Sequence, residues 1–510
     1  MMKISECIPT DILIIGGGLS GLTAAWATGS KKKVMVLLDG AGASPYVHGF
    51  SLPAGEGDSP ELLFRDTRES GRFQGKESLE KHLAFESLEV PPLLRELDIS
   101  LDRNPDGSLA LLRPLGASVP RVASAGNHTG AVVLAKLRKR LIARGNTSLL
   151  TGFRALRLLH GPAGVAGALV FDRQQNRFLH FAADTVILAC GGFCGIYPFS
   201  TNTSDIGGDG IAMASMAGAA LCDLEFIQFE PCVALSPNKI RGKGLITTMF
   251  FEGACLRNHR YERFLAENPE GERLNKDVLC RKIVREIKRG GGTPNGGVWF
   301  DATSVGRERL VKTYPAYVER YAACGIDLAA QPVEVAPAPH TSLGGVEIDE
   351  NCATSLPGLL ACGEIAGGVH GANRIGGNAG LETFVFGMTA GYAASSAEPR
   401  ISEFMPEEES LPLVPCELRH RMRNMMMREL EQNLGIFRCR KGLRHALQTL
   451  QELMMNFSAA DNGTPKEYYE TLRLQNDLYT AVLLTQAALE RKDSCGCHIR
   501  TDHSDREESE

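Results

Sequence analysis

The sequence predicts an α/β protein: a parallel sheet covered by helices, a smaller α+β unit inserted into it, and a helical bundle towards the end of the chain. Three observations predict this arrangement. An apolar run, a Gly-rich turn, a helical stretch and a second apolar run follow one another between residues 11 and 39. Two more apolar runs that end in glycines lie at 184–192 and 359–364, and apolar residues recur with helical spacing after residue 416. Strands that alternate with helices favour a parallel sheet, whereas a separate helical run favours a bundle.

The first of these units has the pattern of a dinucleotide-binding site. Strand 11–15 leads into Gly16-Gly-Gly-Leu-Ser-Gly21 and a helical stretch, and strand 34–38 ends in Asp39. The glycines of such a turn let the backbone approach a pyrophosphate at the helix N-terminus, and the acid can accept a bond from a ribose hydroxyl. We therefore predict a Rossmann-like domain whose site includes Gly16, Gly18, Gly21 and Asp39.

The later strands indicate which dinucleotide is bound. The runs at 184–192 and 359–364 read as strands that end in glycines, far along the chain from the first turn. Segments so widely spread that converge on one nucleotide resemble flavoproteins that bury an extended FAD. Nicotinamide-dependent enzymes usually complete their site within the first domain. The predicted cofactor is therefore FAD.

The Gly-rich stretch at 359–391 adds a cation to this site. It reads as a buried strand, a loop that contains Arg374, and a helix that begins near Asn378 after two glycines. A helix N-terminus carries positive partial charge, so it suits an anion or a ring that becomes anionic on reduction. The loop therefore predicts contacts with both a cofactor and a substrate.

Composition argues against several classes of partner. The chain has 510 residues, with 55 Lys and Arg against 60 Asp and Glu, which gives no reason to expect nucleic acid or an anionic membrane as a partner. No apolar run reaches the about 18–20 residues that span a membrane, and no signal peptide is visible. We expect a cytoplasmic protein with no direct membrane span.

The 14 cysteines are scattered without CxxC pairs, and no metal site is predicted from them. Most are expected to be small buried hydrophobic residues. Cys495 and Cys497 are the exception, because they stand on a turn that could be exposed and redox-active.

The chain divides into three predicted domains and a tail. An FAD-binding domain is expected at 1–235 and 340–400, and a charged, Gly-rich segment at 236–339 interrupts it. A helical domain is expected at 415–500, followed by a disordered tail at 501–510.

These motifs resemble the flavoprotein family of fumarate reductase, succinate dehydrogenase and L-aspartate oxidase. The matching segments run nearly end to end, and they include GGGLSGLTAA, GNHTG at 126–130, TSDIGGDG at 203–210, EFIQFE at 225–230, PHTSLGG at 339–345 and GVHGANRIGGN. SCGCH at 494–498 is similar to the family's SRG-x-H-x-R-x-D signature, with Cys495 in place of the arginine. The resemblance implies that 236–339 is a capping domain that closes over the substrate.

The resemblance also implies the cofactor contacts. Besides the glycines and the acid of the first unit, these are Leu19, Ser20, Gly40, Ser44, Gly49, Asp209, Glu364, Arg374, Asn378 and Ala379. Relatives in membrane complexes attach FAD through a histidine after the second strand. The aligned position here is close to Ala43, so non-covalent FAD is expected, with His48 facing the cavity.

In this family two histidines and two arginines grip the substrate, and hydride passes between flavin N5 and a carbon near a carboxylate. His340 and Arg374 match two of the four residues, and both are expected to bind a substrate carboxylate. Glu230 replaces the second histidine, and Lys276 replaces the arginine that delivers the proton. An alternative for Lys276 is a surface lysine with the alignment shifted by a few residues.

The changed residues bear on the choice of substrate. A carboxylate at position 230 repels a second substrate carboxylate, and the apolar run of Met249, Phe250 and Phe251 is expected to make that wall apolar. The expected catalytic residues are Lys276, Glu230, His340 and Arg374, and the expected substrate contacts are His340, Arg374, Phe250 and Thr247.

The expected function is an FAD-dependent reductase or dehydrogenase of a small carboxylate other than fumarate or succinate. Electrons would pass through a separate carrier, an iron-sulfur protein or a flavoprotein, which could also tie the chain to a membrane complex. Two alternatives stay open: an amino-acid oxidase that resembles L-aspartate oxidase, and a non-catalytic flavoprotein subunit of an electron-transfer complex.

Overall fold

The structure is a computed structural model, and it describes residues 4, 6–161, 163–399, 411–458 and 463–502. The predicted tail lies outside the described residues from position 503 onward. The strands are β1 (Cys7–Ile15), β2 (Val34–Leu38), β3 (Gly49–Ser51), β4 (Val122–Ser124), β5 (Thr147–Thr151), β6 (Phe153–Gly161), β7 (Gly164–Asp172), β8 (Arg177–Leu188), β9 (Leu221–Cys222), β10 (Ile227–Ala234), β11 (Cys255–Arg257), β12 (Val298–Asp301), β13 (Val333–Ser342), β14 (Gly345–Glu347), β15 (Leu359–Ala361), β16 (Ala366–Gly367), β17 (Phe437–Arg438) and β18 (Ile499–Arg500).

The α-helices alternate with these strands in the first part of the chain and dominate its last part. They are α1 (Leu19–Ala27), α2 (Pro60–Ser70), α3 (Glu77–Phe85), α4 (Val90–Glu96), α5 (Thr129–Arg144), α6 (Asp209–Met216), α7 (Lys276–Glu286), α8 (Arg307–Thr313), α9 (Pro315–Ala322), α10 (Asn378–Ser396), α11 (Cys416–Asn433), α12 (Arg440–Met454) and α13 (Pro465–Glu490). Each described helix is too short or too polar to cross a bilayer.

The main sheet has the strand order β5-β2-β1-β8-β7-β6, and β15 pairs with the end of β8. Strands β5, β2, β1, β8 and β15 are mutually parallel, whereas β7 and β6 are antiparallel to their neighbours. The carboxyl ends of parallel strands meet at one edge, so the turns after β1, β2, β8 and β15 lie together. This edge carries the Gly-rich turns, and the predicted α/β fold class is confirmed.

Gly16 shows why the first turn needs glycine. Its φ is +118°, and a Cβ atom there would lie 2.2 Å from the backbone oxygen of Ala189, at the end of β8. A Cβ on Gly21 would lie 1.9 Å from the oxygen of Gly16. Any side chain at these positions would push α1 away from the sheet edge.

A second sheet, β10-β13-β12-β11, is antiparallel and has its own apolar core with α7 and α9. Its two longest strands, β10 and β13, flank the predicted limits of the capping segment, 236–339, and carry Glu230 and His340. The register of β10 against β13 shifts between Glu230 and Val233. A bulge of this kind re-aims the side chains beside it.

The C-terminal helices pack against the FAD-binding domain through α13. Asn476 donates to the Asp209 carboxylate at 2.7 Å, and Asp477 accepts a bond from the Gly208 amide at 2.8 Å. Thr480 donates to the Gly208 carbonyl at 2.8 Å. One face of α13 therefore holds the N-terminus of α6.

The residues of the C-terminal signature, at 494–502, hold the end of the described chain against α13. Arg500 is fully buried, donates to backbone carbonyls near the end of α13, including that of Arg491, and pairs with Asp502 at 3.1 Å. Cys497 is buried and Cys495 half-buried, and burial raises the pKa of both thiols. The fold therefore does not expose the turn with Cys495 and Cys497 in the way that a redox-active pair of cysteines would need.

Candidate functional site

A cavity of about 410 Å³ opens along the carboxyl ends of the main-sheet strands and continues under the second sheet. Asp39 and Asp209 line one end, and Lys276, His340 and Arg374 line the other. The predicted cofactor and substrate residues therefore face one continuous space.

Two helices point their N-termini at this cavity. Helix α1 follows Gly18 and helix α10 follows Gly377, so neither N-cap residue has a side chain that could cap its helix. The Leu19 amide at the start of α1 donates to the Ser44 hydroxyl at 2.9 Å. The first backbone N–H groups of a helix lack partners within the helix, so they are free to bind an anion or an electron-rich ring. Two helix N-termini on one cavity fit an extended dinucleotide such as FAD.

The end near Asp39 is organised by a cation that the sequence analysis missed. Arg154, at the start of β6, donates to Asp39 at 3.0 Å and to Asp209 at 2.8 Å, and Arg173 donates to Asp39 at 2.6 Å. Burial would raise the pKa of Asp39, but the bonds from Arg173 and Arg154 outweigh it and lower the pKa. Asp39 is thus kept as an ionised acceptor, which suits a ribose hydroxyl. Arg154 and Arg157 are the two arginines of the otherwise largely apolar strand β6, and this was the available signal.

Most of the predicted cofactor residues line the cavity. They are Gly16, Gly18, Leu19, Ser20, Asp39, Gly40, Ser44, Gly49, Asp209, Glu364, Arg374 and Ala379. Gly21 and Asn378 are not among the lining residues: the first packs on the Gly16 oxygen, and the second donates to the Thr67 hydroxyl at 3.0 Å.

His48 also lines the cavity. Both of its ring nitrogens are buried without a hydrogen-bond partner in the described part of the chain, and burial, with the charge of His128, lowers its pKa to about 4. A neutral imidazole therefore faces the cavity with a donor and an acceptor to spare.

Glu364 gives the site a measurable pH dependence. Burial raises its pKa from 4.5 to about 7, although the Ser342 amide donates to it at 3.0 Å. Between these pH values the unfolded chain releases a proton that the folded chain keeps, so stability falls as pH rises through the window. We expect Glu364→Gln to reduce this pH dependence in flavin-free protein, measured as thermal-unfolding midpoints. Glu80, whose pKa is also raised to about 7 by burial, leaves a residual slope.

Exposed Glu61→Gln is the matched control for this prediction. The pKa of Glu61 is lowered by backbone and Ser59 hydrogen bonds, so its titration falls below the window. This variant should keep the pH dependence of the wild type. A Glu364→Gln protein with the full wild-type slope would contradict the prediction.

At the other end of the cavity lies a buried cation without a carboxylate partner. Arg374 is 5% exposed, and it donates to the Ile375 carbonyl at 3.1 Å and to the Thr341 hydroxyl at 3.4 Å. Its Nε has no hydrogen-bond partner, and no carboxylate of the described residues lies at ion-pair distance. Burial lowers the pKa of the guanidinium, opposed chiefly by the charge of Glu230. A buried arginine in this state is suited to an anionic ligand.

His340 stands next to this arginine as a neutral ring. Burial lowers its pKa well below the usual value, and the charges of Lys276 and Arg374 add to the effect. Its Nδ1 lies 2.7 Å from the Thr201 hydroxyl, and its Nε2 lies 3.7 Å from the Glu230 carboxylate. When Thr201 donates to Nδ1, Nε2 carries the hydrogen and offers it to the cavity.

Lys276 and Glu230 form a buried ion pair beside His340. Lys276 Nζ lies 2.5 Å from Glu230 Oε2, and the two residues are 7% and 6% exposed. Lys276 is the first residue of α7, so the helix start aims its side chain at the second sheet. The alternative of a surface lysine does not apply. The structure brings the four predicted catalytic side chains together.

The remaining wall of the substrate end differs from the expected one. Phe250 lies in the core of the second sheet, 5.3 Å from the Phe300 ring, and is not among the residues that line the cavity. Thr247 does line it, together with Lys243, Tyr317 and Arg320, which the sequence analysis did not select. The wall combines these polar and charged side chains with the apolar Leu245 and Ile246. The three-residue spacing of Tyr317 and Arg320 on α9 was a signal that could have found them.

Metal ligands are a separate question. Among the described residues, no three His, Cys, Asp or Glu side chains come together as metal ligands.

Comparison with known proteins adds to this geometry. A family model described as an FAD binding domain matches residues 11–379, and one described as the fumarate reductase flavoprotein C-terminus matches residues 419–510. The chain is 34% identical to one subunit of the fumarate reductase (CoM/CoB) of Methanothermobacter marburgensis, over 98% of this chain and 95% of that protein. It is 31% identical to L-aspartate oxidase of Streptomyces coelicolor, over 98% and 90%. The FrdA chain of E. coli quinol fumarate reductase has a similar structure, with a TM-score of 0.88, 25% identity and coverage of 98% and 92%.

Proposed function

The chain belongs to the flavoprotein family of fumarate reductase, succinate dehydrogenase and L-aspartate oxidase and is an FAD-dependent oxidoreductase, and from this premise we propose its reaction. It oxidises or reduces the carbon–carbon bond next to the carboxylate of a small acid other than fumarate or succinate. FAD is bound non-covalently and exchanges a hydride with the substrate.

Arg374 is the observation that carries this proposal. A buried guanidinium without an acidic partner among the described residues lies beside the N-terminus of α10, where the cofactor ring is expected. The substrate carboxylate would complete its ion pair, and His340 Nε2 would donate a further bond. These contacts hold the neighbouring carbon atoms in one orientation and exclude water from them.

Lys276 supplies the proton that the reaction needs. Reduction of a carbon–carbon double bond adds a hydride to one carbon and a proton to the other. The Nζ of Lys276 would give that proton, become a neutral amine, and be protonated again from solvent. Glu230, 2.5 Å from Nζ, orients the amine and balances its charge before the transfer.

The same glutamate argues against a four-carbon diacid. In such a substrate the second carboxylate follows directly on the reacting carbons, where it would meet the Glu230 carboxylate. Lys276 offsets part of the Glu230 charge, but two carboxylates in contact in a buried site still repel each other. A substrate with an uncharged group next to the reacting bond avoids this repulsion.

A second candidate is an amino-acid oxidase, because relatives named L-aspartate oxidase match 98% of the chain at 30–31% identity. In that reaction Glu230 would pair with the substrate ammonium group. A separate electron carrier, an iron-sulfur protein or a flavoprotein, stays a prediction, and it is supported by one relative whose name makes it part of a larger enzyme. The cytoplasmic location, the domain limits and the alternative of a non-catalytic subunit also stay predictions.

The test is an anaerobic exchange experiment with the purified holoprotein. Chemically reduced protein is mixed with a series of 2-enoic acids, and the return of the oxidised flavin absorbance is followed. We expect at least one acid to oxidise the flavin faster than buffer does, with fumarate among the slow ones. Reduction of the oxidised protein by L-aspartate, with no response to any enoic acid, would favour the oxidase instead. No response to either would refute both.

A further inference from the structure

We propose that the substrate carries a second anionic group, several bonds beyond its reacting carbons, and that Lys243 and Arg320 bind this group. The proposal rests on the proposed function, because it assigns the other end of the same substrate. It concerns the part of the cavity that the capping segment covers.

Lys243 and Arg320 are two cations that line the cavity without acidic partners. Within the described residues neither has a carboxylate at ion-pair distance. Lys243 Nζ lies 4.1 Å from the centre of the Tyr46 ring, and the Arg320 guanidinium lies 5.2 Å from the centre of the Tyr317 ring. Arg320 also donates to the Gly244 carbonyl at 3.2 Å. The aromatic rings and the carbonyl hold both cations in place and leave donors free for a ligand.

A chain of contacts gives the position of this pair relative to the reacting end. The Glu230 carboxylate lies 3.7 Å from His340, and a Cβ on Gly244 would lie 3.6 Å from the side chain of Glu230. Gly244 follows Lys243 and accepts the bond from Arg320. Both cations therefore adjoin Gly244, the neighbour of Glu230, and neither is hydrogen-bonded to His340 or Arg374 in the described part of the chain.

The balance of charge along the substrate path leads to the same conclusion. One substrate carboxylate forms an ion pair with Arg374, and Glu230 forms an ion pair with Lys276 at 2.5 Å. Lys243 and Arg320 remain as two positive charges on a partly enclosed cavity. Such a pair favours an anion at that point, whereas Glu230 disfavours one closer in. The substrate class is thus a carboxylic acid with a terminal carboxylate or phosphate separated from it by a spacer.

Matched pairs of acids test this assignment. The probes are 2-pentenoate and 2-hexenoate, the corresponding 2-enedioates of the same chain length, and a 2-enoate with a terminal phosphonate. Binding is measured by the perturbation of the oxidised flavin spectrum, and turnover by anaerobic reoxidation of the reduced protein. We expect the wild type to prefer an anion-terminated acid, and the carboxylate and phosphonate arms to distinguish the two kinds of terminus.

The variants are Lys243→Gln and Arg320→Gln. Loss of a charge-assisted hydrogen bond costs about 10- to 100-fold in affinity, so kcat/KM and Kd for the anion-terminated acids should worsen by that factor, mainly through KM. The values for the monoacids should change less than about twofold, because those acids make no such bond. Arg320→Lys should keep part of the preference, since it keeps the charge.

Arg241→Gln is a closely matched control. Arg241 lies 4.5 Å from the Phe199 ring centre and donates to the Leu235 carbonyl at 3.2 Å, but it does not line the cavity. It should leave the ratio of diacid to monoacid unchanged. The proposal would be overturned if Arg320→Gln lowered kcat/KM for the diacids and the monoacids by the same factor. It would also be overturned if the variant lost FAD while the ratio of diacid to monoacid activity stayed unchanged. Wild-type protein that reduces monoacids as well as diacids would also overturn it and leave the proposed reaction standing, whereas inactivity towards every acid would remove the reaction itself.

Discussion

Replacing Arg374 with methionine is expected to lower kcat/KM for every carboxylic acid by about 10²- to 10⁴-fold, because a substrate carboxylate would then be buried without its partner at a cost of about 3–5 kcal/mol. The loss should appear in both KM and kcat, since Arg374 binds the acid and fixes its orientation. Anaerobic stopped-flow kinetics at matched flavin content measure it. Arg374→Lys should recover only a part, because an ammonium cannot form the bidentate pair.

Arg438→Met is the matched control for a buried arginine. Arg438 is 1% exposed, donates to the Glu225 carbonyl at 2.7 Å, and is not among the residues that line the cavity. Its loss should lower the thermal midpoint but leave kcat/KM of the folded, flavin-bound fraction near the wild-type value. Kinetics of Arg374→Met that match those of Arg438→Met would show that Arg374 acts on folding and not on the substrate.

Replacing Lys276 with methionine should lower kcat by about 10²- to 10⁴-fold with a much smaller change in KM, the range expected for loss of a general acid. Rapid-reaction measurements of kcat and KM at matched flavin content test this. Lys282→Met, on the same helix but outside the cavity lining, should behave like the wild type.

The variant leaves Glu230 buried without its ion-pair partner, which could prevent folding. The double variant Lys276→Met with Glu230→Gln removes that charge and keeps the test valid. An unchanged kcat in either protein would remove Lys276 from the mechanism.

Much of the fold followed from local patterns. The GxGxxG turn, strand β2 with Asp39 after it, and the start of α10 at Asn378 are short-range features whose glycines and apolar runs carry their own structural reasons. His340 and Arg374 were found because they sit in motifs with fixed neighbours. The fold class and the meeting of His340 and Arg374 at one cavity were therefore accessible from sequence.

The residues that the segment at 236–339 contributes to the site were not accessible from sequence. The apolar run around Phe250 lies on a 3-10 turn from 247 to 252, where no periodicity tells which side chains face the cavity. Burial against Phe300 decides this, and it depends on strands distant in the sequence. Likewise, Arg154 reads as an ordinary strand residue until the fold brings Asp39 and Asp209 to it. Tertiary contacts, not local propensity, set these positions.

The hydrogen bonds between α13 and α6 bear on when the protein can acquire FAD during its synthesis. Asp209 is held by Arg154 on one side and by Asn476 on the other, and Asn476 is translated near the end of the chain. The Asp39 end of the cavity is therefore completed only after α13 has been synthesised and has docked. A chain that stops before α13 would lack the bond from Asn476 to Asp209, and we expect it to hold FAD less tightly.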